Sequence, residues 1–310
     1  MIIQNYRPEG RLNQADKKLG SYTFLEIEKA CASGKILESK AALCDEEQNL
    51  IVDLGCMKGI IERKEVVFSP NNEVKNIAII TRVGKPVCFK VMEIKKNEKG
   101  EYYALLSRRA AQEEAYKNYI YKLKSGDIIG GRITHLEPFG AFVDIGCGII
   151  SLISIDNISI SRISHSKDRF SPGQDIRCIV KSVDTQTGRV TLSHKELLGT
   201  WQENADNFQI GQTAAGIVRS IEDYGIFVEL APNLAGLAEY KEGVSVGQTA
   251  SVFIKNIIPE KMKIKLVIVD SFDTPPGERK DFQYYIKNGH LSYWRYSPLS
   301  CEKVIESFFK

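Results

Sequence analysis

One stretch, Pro138-Phe139-Gly140-Ala141-Phe142-Val143-Asp144-Ile145-Gly146, constrains the fold more than any other because the chain uses it twice. Eighty-five positions later, Asp223-Tyr224-Gly225-Ile226-Phe227-Val228-Glu229-Leu230 repeats the order of aromatic, glycine, small or apolar residue, Phe, Val, acid and aliphatic. The alignment runs without a gap from Gly126 and Gly211 to Leu152 and Leu237. A shorter loop in the later copy then reduces the offset to 74, so that Gly173-Gln174 matches Gly247-Gln248, Lys181 matches Lys255 and Leu192 matches Leu266. Two blocks in register around one loop deletion are the mark of a duplicated domain. A looser third copy lies upstream, where Val52-Asp53-Leu54-Gly55, Gly84-Lys85 and Leu106-Ser107 keep the framework but Gln48 and Ile51 replace the two aromatics.

Many short β-rich runs at close spacing predict a small barrel or sandwich for each copy. In the first they fall at 41–44, 50–54, 66–68, 77–83, 87–94 and 102–106, with turns at 45–49, 69–73 and 96–100. Between copies the period changes to that of a helix. Ser107 is set to cap a linker helix that stops at Ser125-Gly126, and Ser193-His194-Lys195-Glu196 has the spacing of a capping box opening a second linker. The expected organisation is an N-terminal arm and helix over 1–33, a degenerate barrel over 34–107, and a linker helix over 108–125. A barrel over 126–193, a linker helix over 194–208, a barrel over 209–270 and an aromatic tail over 271–310 follow. The tail is too aromatic for a floppy extension, so it is expected to pack on the third barrel or on a partner, with an amphipathic helix over 302–309.

A net charge of +3 over 310 residues does not demand nucleic acid, so any such binding must rest on more than phosphate attraction. The seven cysteines are odd in number and scattered singly, without the spacing of a zinc site, which predicts reduced thiols. No signal-peptide core and no apolar run of membrane-spanning length occurs, so a cytoplasmic protein away from membranes is expected. The four histidines lack metal-ligand spacing, and there is no P-loop, no GxGxxG unit and no GxSxG, so neither enzyme chemistry nor a cofactor is implied.

Gly126, the Phe-Gly-Ala-Phe-Val-Asp strand, Gly173-Gln174 and Gly188-Arg189-Val190-Thr191-Leu192-Ser193 resemble the S1 RNA-binding domain family. The resemblance is specific over the second copy, good over the third and marginal over the first, and the three-copy order is similar to the bacterial ribosomal protein S1 group. It implies an all-β chain with linker helices: three tandem OB-fold, S1-type, five-stranded antiparallel barrels. It also implies binding of single-stranded RNA, mRNA in particular, and association with the small ribosomal subunit through the leading domain. Residues three apart cannot share a face on a regular strand, so Gly140 is expected to permit a bulge that turns Phe139 and Phe142 to one side as platforms for unpaired bases. By resemblance Asp184 and Arg189 join that surface, while the family's histidine position falls on Ser154. In the third copy the counterparts are Tyr224, Phe227 and Lys263, with Glu239 at the histidine position, where it would repel phosphate and weaken that face. Arg162, His165, Lys167 and Arg169 in the long loop of the second copy are a candidate backbone clamp. Two other functions stay open at this stage: an S1-type regulator that is not ribosomal, and a protein-interaction scaffold.

Overall fold

In a computed structural model describing residues 6–12, 20–68, 76–273 and 282–310, each copy is a closed barrel of five strands. The first is built from β1 (Leu37–Cys44), β2 (Leu50–Asp53), β3 (Lys58–Ile61), β4 (Pro86–Lys96) and β5 (Tyr102–Ser107). The middle one uses β6 (Ile128–Glu137), β7 (Gly140–Asp144), β8 (Ile150–Ser154), β9 (Asp175–Val183) and β10 (Val190–Ser193). The third uses β11 (Thr213–Glu222), β12 (Gly225–Ala231), β13 (Leu234–Ala238), β14 (Thr249–Ile258) and β15 (Lys263–Phe272). All three share one strand order, first-second-third-fifth-fourth and back to the first, which is the OB arrangement. The third and fifth strands pair in parallel in each barrel, so the expected all-antiparallel pattern holds except at that closing pair.

Alternation makes these segments strands. Along β15, Ile264, Leu266 and Ile268 point into the core while Lys263, Lys265, Val267 and Val269 face out. Their partners inside the third barrel include Val218, Ile226, Val228, Val252 and Ile254. The first barrel has its own core around Leu50, Val52, Ile61, Phe89 and Leu106.

The helices are α1 (Phe24–Ser33), α2 (Asn76–Ile80), α3 (Arg108–Asn118) and α4 (Trp201–Ala205). Thr23 and Glu26 form a capping box on α1, Gly34 ends it in the left-handed conformation, and Ser107 caps α3 as expected. Four expectations need correction. The expected strands at 66–68 and 77–83 are not strands, and the true third strand, Lys58–Ile61, lies in a stretch that no pattern had singled out. The second linker is not one helix: Gly199 interrupts it, leaving a short 3-10 turn at Lys195–Leu198 and then α4, whose capping box is Thr200 with Glu203. The chain end is a strand instead of a helix, β17 (Glu306–Phe308) pairing with β16 (Tyr293–Arg295). Residues 6–12 of the arm are irregular but anchored: Glu9 is buried, its carboxylate 2.7 Å from Arg108 and its N–H donating to Asp144. Residues 1–5 and 13–19 of that arm, the expected turn at 69–73 and Pro275-Pro276 lie outside the described residues.

The chain divides into two compact units. One comprises Met1–Leu123, Val143–Ser151 and Val183–Arg189; the other comprises Lys124–Phe142, Leu152–Ser182 and Val190–Lys310. Within the second unit the tail packs back as its aromaticity predicts. Trp294 and Tyr296 enter the third-barrel core, and Phe309 joins Ile128, Ile179 and Leu197. Among the described residues, no helix is long and apolar enough to cross a membrane.

Candidate nucleic-acid interface

Phe139 is not on a strand. It is the second residue of the two-residue turn joining β6 to β7, and Gly140 is the first residue of β7. The turn carries Phe139 and β7 carries Phe142, and their rings lie beside each other. Phe139 is 55% exposed and Phe142 half-buried, with ring centres 6.1 Å apart and planes at 88°. Gly140 is needed for a different reason: a Cβ there would fall on the carbonyl oxygen of Ile153, so only glycine allows β8 to approach this closely.

The third barrel reproduces the device. Tyr224 occupies the β11–β12 turn and is 70% exposed, and its ring lies 6.0 Å from Phe227 at 87°. Gly225 meets the carbonyl oxygen of Ala238 as Gly140 meets that of Ile153. The register shift in this hairpin falls on β11, between Val218 and Ser220, and leaves Arg219 as the extra residue. Each pair is an edge-to-face step of hydrocarbon left in water, the kind of surface on which a nucleobase stacks.

His135 was missed at the sequence level. Its ring centre lies 6.2 Å from that of Phe142, which makes a row of three rings at the mouth of this hairpin, and its Nε2 is 2.6 Å from Glu137. It stands on β6, whereas the expected histidine position, Ser154, ends β8 and accepts a hydrogen bond from the Asn157 amide. The signal available was the strand pattern itself: Thr134, His135 and Leu136 break the inward-outward alternation just before the turn, where both faces of the hairpin are solvated.

Asp184 and Arg189 face solvent at the two ends of one turn, where the Asp184 N–H donates to the Arg189 carbonyl at 2.8 Å. The carboxylate is occupied with building that turn. It accepts from the Thr187 hydroxyl and from the N–H groups of Gln186 and Thr187. Those bonds, the Thr187 hydroxyl first, hold its pKa below the usual carboxylate value. Lys263 is exposed at the start of β15.

The four residues of the expected loop clamp differ in exposure. Arg162 and Lys167 are exposed, and His165 caps a short 3-10 turn by accepting from the Lys167 N–H through Nδ1. Arg169 is a correction. Its side chain is only 3% exposed, and its guanidinium lies 2.5 Å from the buried Glu229 carboxylate and donates to Ser159. Arg219 donates to the same carboxylate oxygen at 2.8 Å and to the other oxygen at 3.3 Å. Burial lowers the Arg169 pKa, and Glu229 opposes that shift. A guanidinium so enclosed binds a neighbouring barrel and is closed to phosphate.

The S1 RNA binding domain model matches residues 122–195, the span of the middle barrel. The middle barrel is an S1 domain. The chain around this S1 domain is similar to the small ribosomal subunit protein bS1 homolog of Bacillus subtilis (strain 168), with 29% identity over 218 residues, 65% of this chain and 56% of that protein. It is likewise 29% identical over 272 residues to the bS1 homolog of Bacillus cereus (strain ATCC 10987 / NRS 248), covering 82% of this chain and 68% of that one. The chain thus spans little more than half the length of the first relative and about two-thirds of the second. Among solved structures, the solution structure of GSP13 from Bacillus subtilis is 26% identical, covering 23% of this chain and 55% of its own, with a TM-score of 0.22.

Proposed function

We propose that the protein holds single-stranded RNA, mRNA during translation, by stacking unpaired bases on Phe139 and Phe142 of the S1 domain and on Tyr224 and Phe227 of the third barrel. The observation that carries this reading is the repetition of one exposed edge-to-face ring pair, in one hairpin, in two barrels. His135 extends the first pair, Arg189 and Lys263 supply charge, and Arg162 and Lys167 flank the strand. Each stacked base contributes roughly 1–3 kcal/mol, so one barrel alone binds weakly. Tethering two raises the effective concentration of the second and gives useful affinity without base-specific hydrogen bonds.

The first barrel is assigned to protein contact, on the small ribosomal subunit. The position of the first ring is taken by Gln48, which accepts a hydrogen bond from Arg63 in its turn, and that of the second by half-buried Ile51. Neither of these two side chains offers a base a flat surface. The names of the bS1 relatives support the ribosomal setting.

Filter binding with an unstructured oligoribonucleotide and with a duplex of equal length tests the RNA reading. The single strand should bind at least tenfold more tightly; equal affinity would refute stacking as the mode of recognition. Co-sedimentation with small subunits tests the division of labour. A variant lacking all four rings should still pellet with the subunit, whereas its staying in the supernatant would remove the role given to the first barrel.

A further inference from the structure

The third barrel carries a row of residues that its ring pair does not explain. Phe227 on β12 pairs with Leu237 on β13, Leu237 with Lys265 on β15, and Lys265 with Asn256 on β14. Phe227, Leu237, Lys265 and Asn256 are all at least partly open to solvent, while their neighbours Ile226, Val228, Ala238 and Leu266 are buried. The row therefore runs across the outside of the barrel, and Lys265 stands two strand spacings from Phe227, about 10 Å. Lys263 faces out two residues earlier on the same strand. The register slips between Ile254 and Asn256, which leaves exposed Lys255 as the extra residue beside Lys265.

None of these three ammonium groups has a carboxylate within 4 Å among the described residues. On the first barrel two lysines find acids, Lys95 at 3.1 Å from Glu93 and Lys64 at 2.9 Å from Glu62, while exposed Lys40, Lys58 and Lys85 have no carboxylate within 4 Å among the described residues but lie beside no ring pair of this kind. Like charges grouped on adjacent strands repel unless an anion lies between them. The middle barrel keeps two of the three cations, since Lys255 and Lys263 fall at the offset of 74 on Lys181 and Arg189, but it lacks the third. Its counterparts of Lys265 and Asn256 at the offset of 74 are Thr191 and Ser182, whose hydroxyls bond each other at 2.6 Å.

We propose that Lys255, Lys263 and Lys265 form a phosphate track that carries the RNA backbone across the third barrel from the base stacked on Phe227. The track deepens the RNA-binding reading and rests on it. It also changes an expectation, because the third barrel, with Glu239 at its rim, gains a charge-dependent contribution of its own beside that of the S1 domain. Recognition is of the sugar-phosphate backbone, and so is indifferent to base sequence.

The test is the salt dependence of binding by the full chain, measured by fluorescence anisotropy with a labelled oligouridylate. Each phosphate contact adds about 0.7 to the slope of log affinity against log salt for a single strand. Lys265→Gln should lower the slope by about that amount, and Lys255→Gln/Lys263→Gln/Lys265→Gln by about three times as much. Lys265→Arg should restore the slope, and Lys99→Gln, in the β4–β5 turn, should leave it unchanged. A triple variant with the wild-type slope, whether or not its affinity falls, overturns the track and leaves the ring pairs standing. A wild-type chain that binds no oligouridylate at any salt concentration overturns both.

Discussion

Arg169 sits in a loop whose neighbouring cations, Arg162 and Lys167, face water, yet its guanidinium is enclosed against Glu229. Removing Arg169 costs its charged hydrogen bonds but does not strand Glu229, which Arg219 still holds, so the loss is about 2 kcal/mol. Arg169→Ala is therefore expected to lower stability by about that much in urea denaturation while leaving RNA affinity within twofold of wild type. His135 should behave in the opposite way. Its exposed ring contributes to no core, so His135→Ala should leave the urea midpoint unchanged and weaken RNA binding by about 1 kcal/mol, roughly fivefold. If the two variants exchange these phenotypes, the roles given to both are wrong. Composition could not separate them, because a basic loop reads alike whether its arginine meets a phosphate or a buried acid. Glu229 holds the motif position of Asp144, and nothing local to Arg169 announces a partner sixty residues away.

At the scale of elements, the hairpins and barrels were legible because alternation and the two-block repeat report directly on strand register. The pieces that were not legible have identifiable causes. Lys58–Ile61 is a short strand whose glycine, Gly59, interrupts the apolar pattern, yet that glycine is what the Leu106 side chain packs against. Residues 302–309 show apolar spacing compatible with a helix, but Phe308 pairs across to Tyr293 and Phe309 is buried against Leu197, so tertiary partners decide the outcome. The same tail encloses His194, which contacts the rings of Phe170, Phe282 and Tyr284, with the Ile158 carbonyl at Nδ1 and the Tyr284 hydroxyl at Nε2. Burial, with Arg169 nearby, lowers its pKa from 6.5 to about 4. A depressed histidine pKa means that below pH 6.5 the unfolded chain takes up a proton that the folded chain refuses. Stability is therefore undiminished above 6.5 and is lost as pH falls toward 4, by about 3 kcal/mol. His194→Gln should remove that part of the pH dependence in denaturation curves taken across the window; a slope identical to wild type would contradict the assignment.

Over the whole molecule, three barrels of one design differ at a handful of surface positions. The first keeps the framework and has Gln48 and Ile51 where the others have rings; the S1 domain adds a histidine to its pair; the third adds Lys265 where the S1 domain has Thr191. On the proposed reading a net charge of +3 is enough, because stacking would supply affinity where phosphate attraction is modest. The central claim is that the two ring pairs hold unpaired bases, and the affinity of an unstructured oligoribonucleotide for Phe139→Ala/Phe142→Ala/Tyr224→Ala/Phe227→Ala measures it most directly. With the fold intact by circular dichroism, the quadruple variant should lose at least about a hundredfold in affinity, and each double variant at least about tenfold. A folded quadruple variant that binds that strand as tightly as wild type would contradict the account.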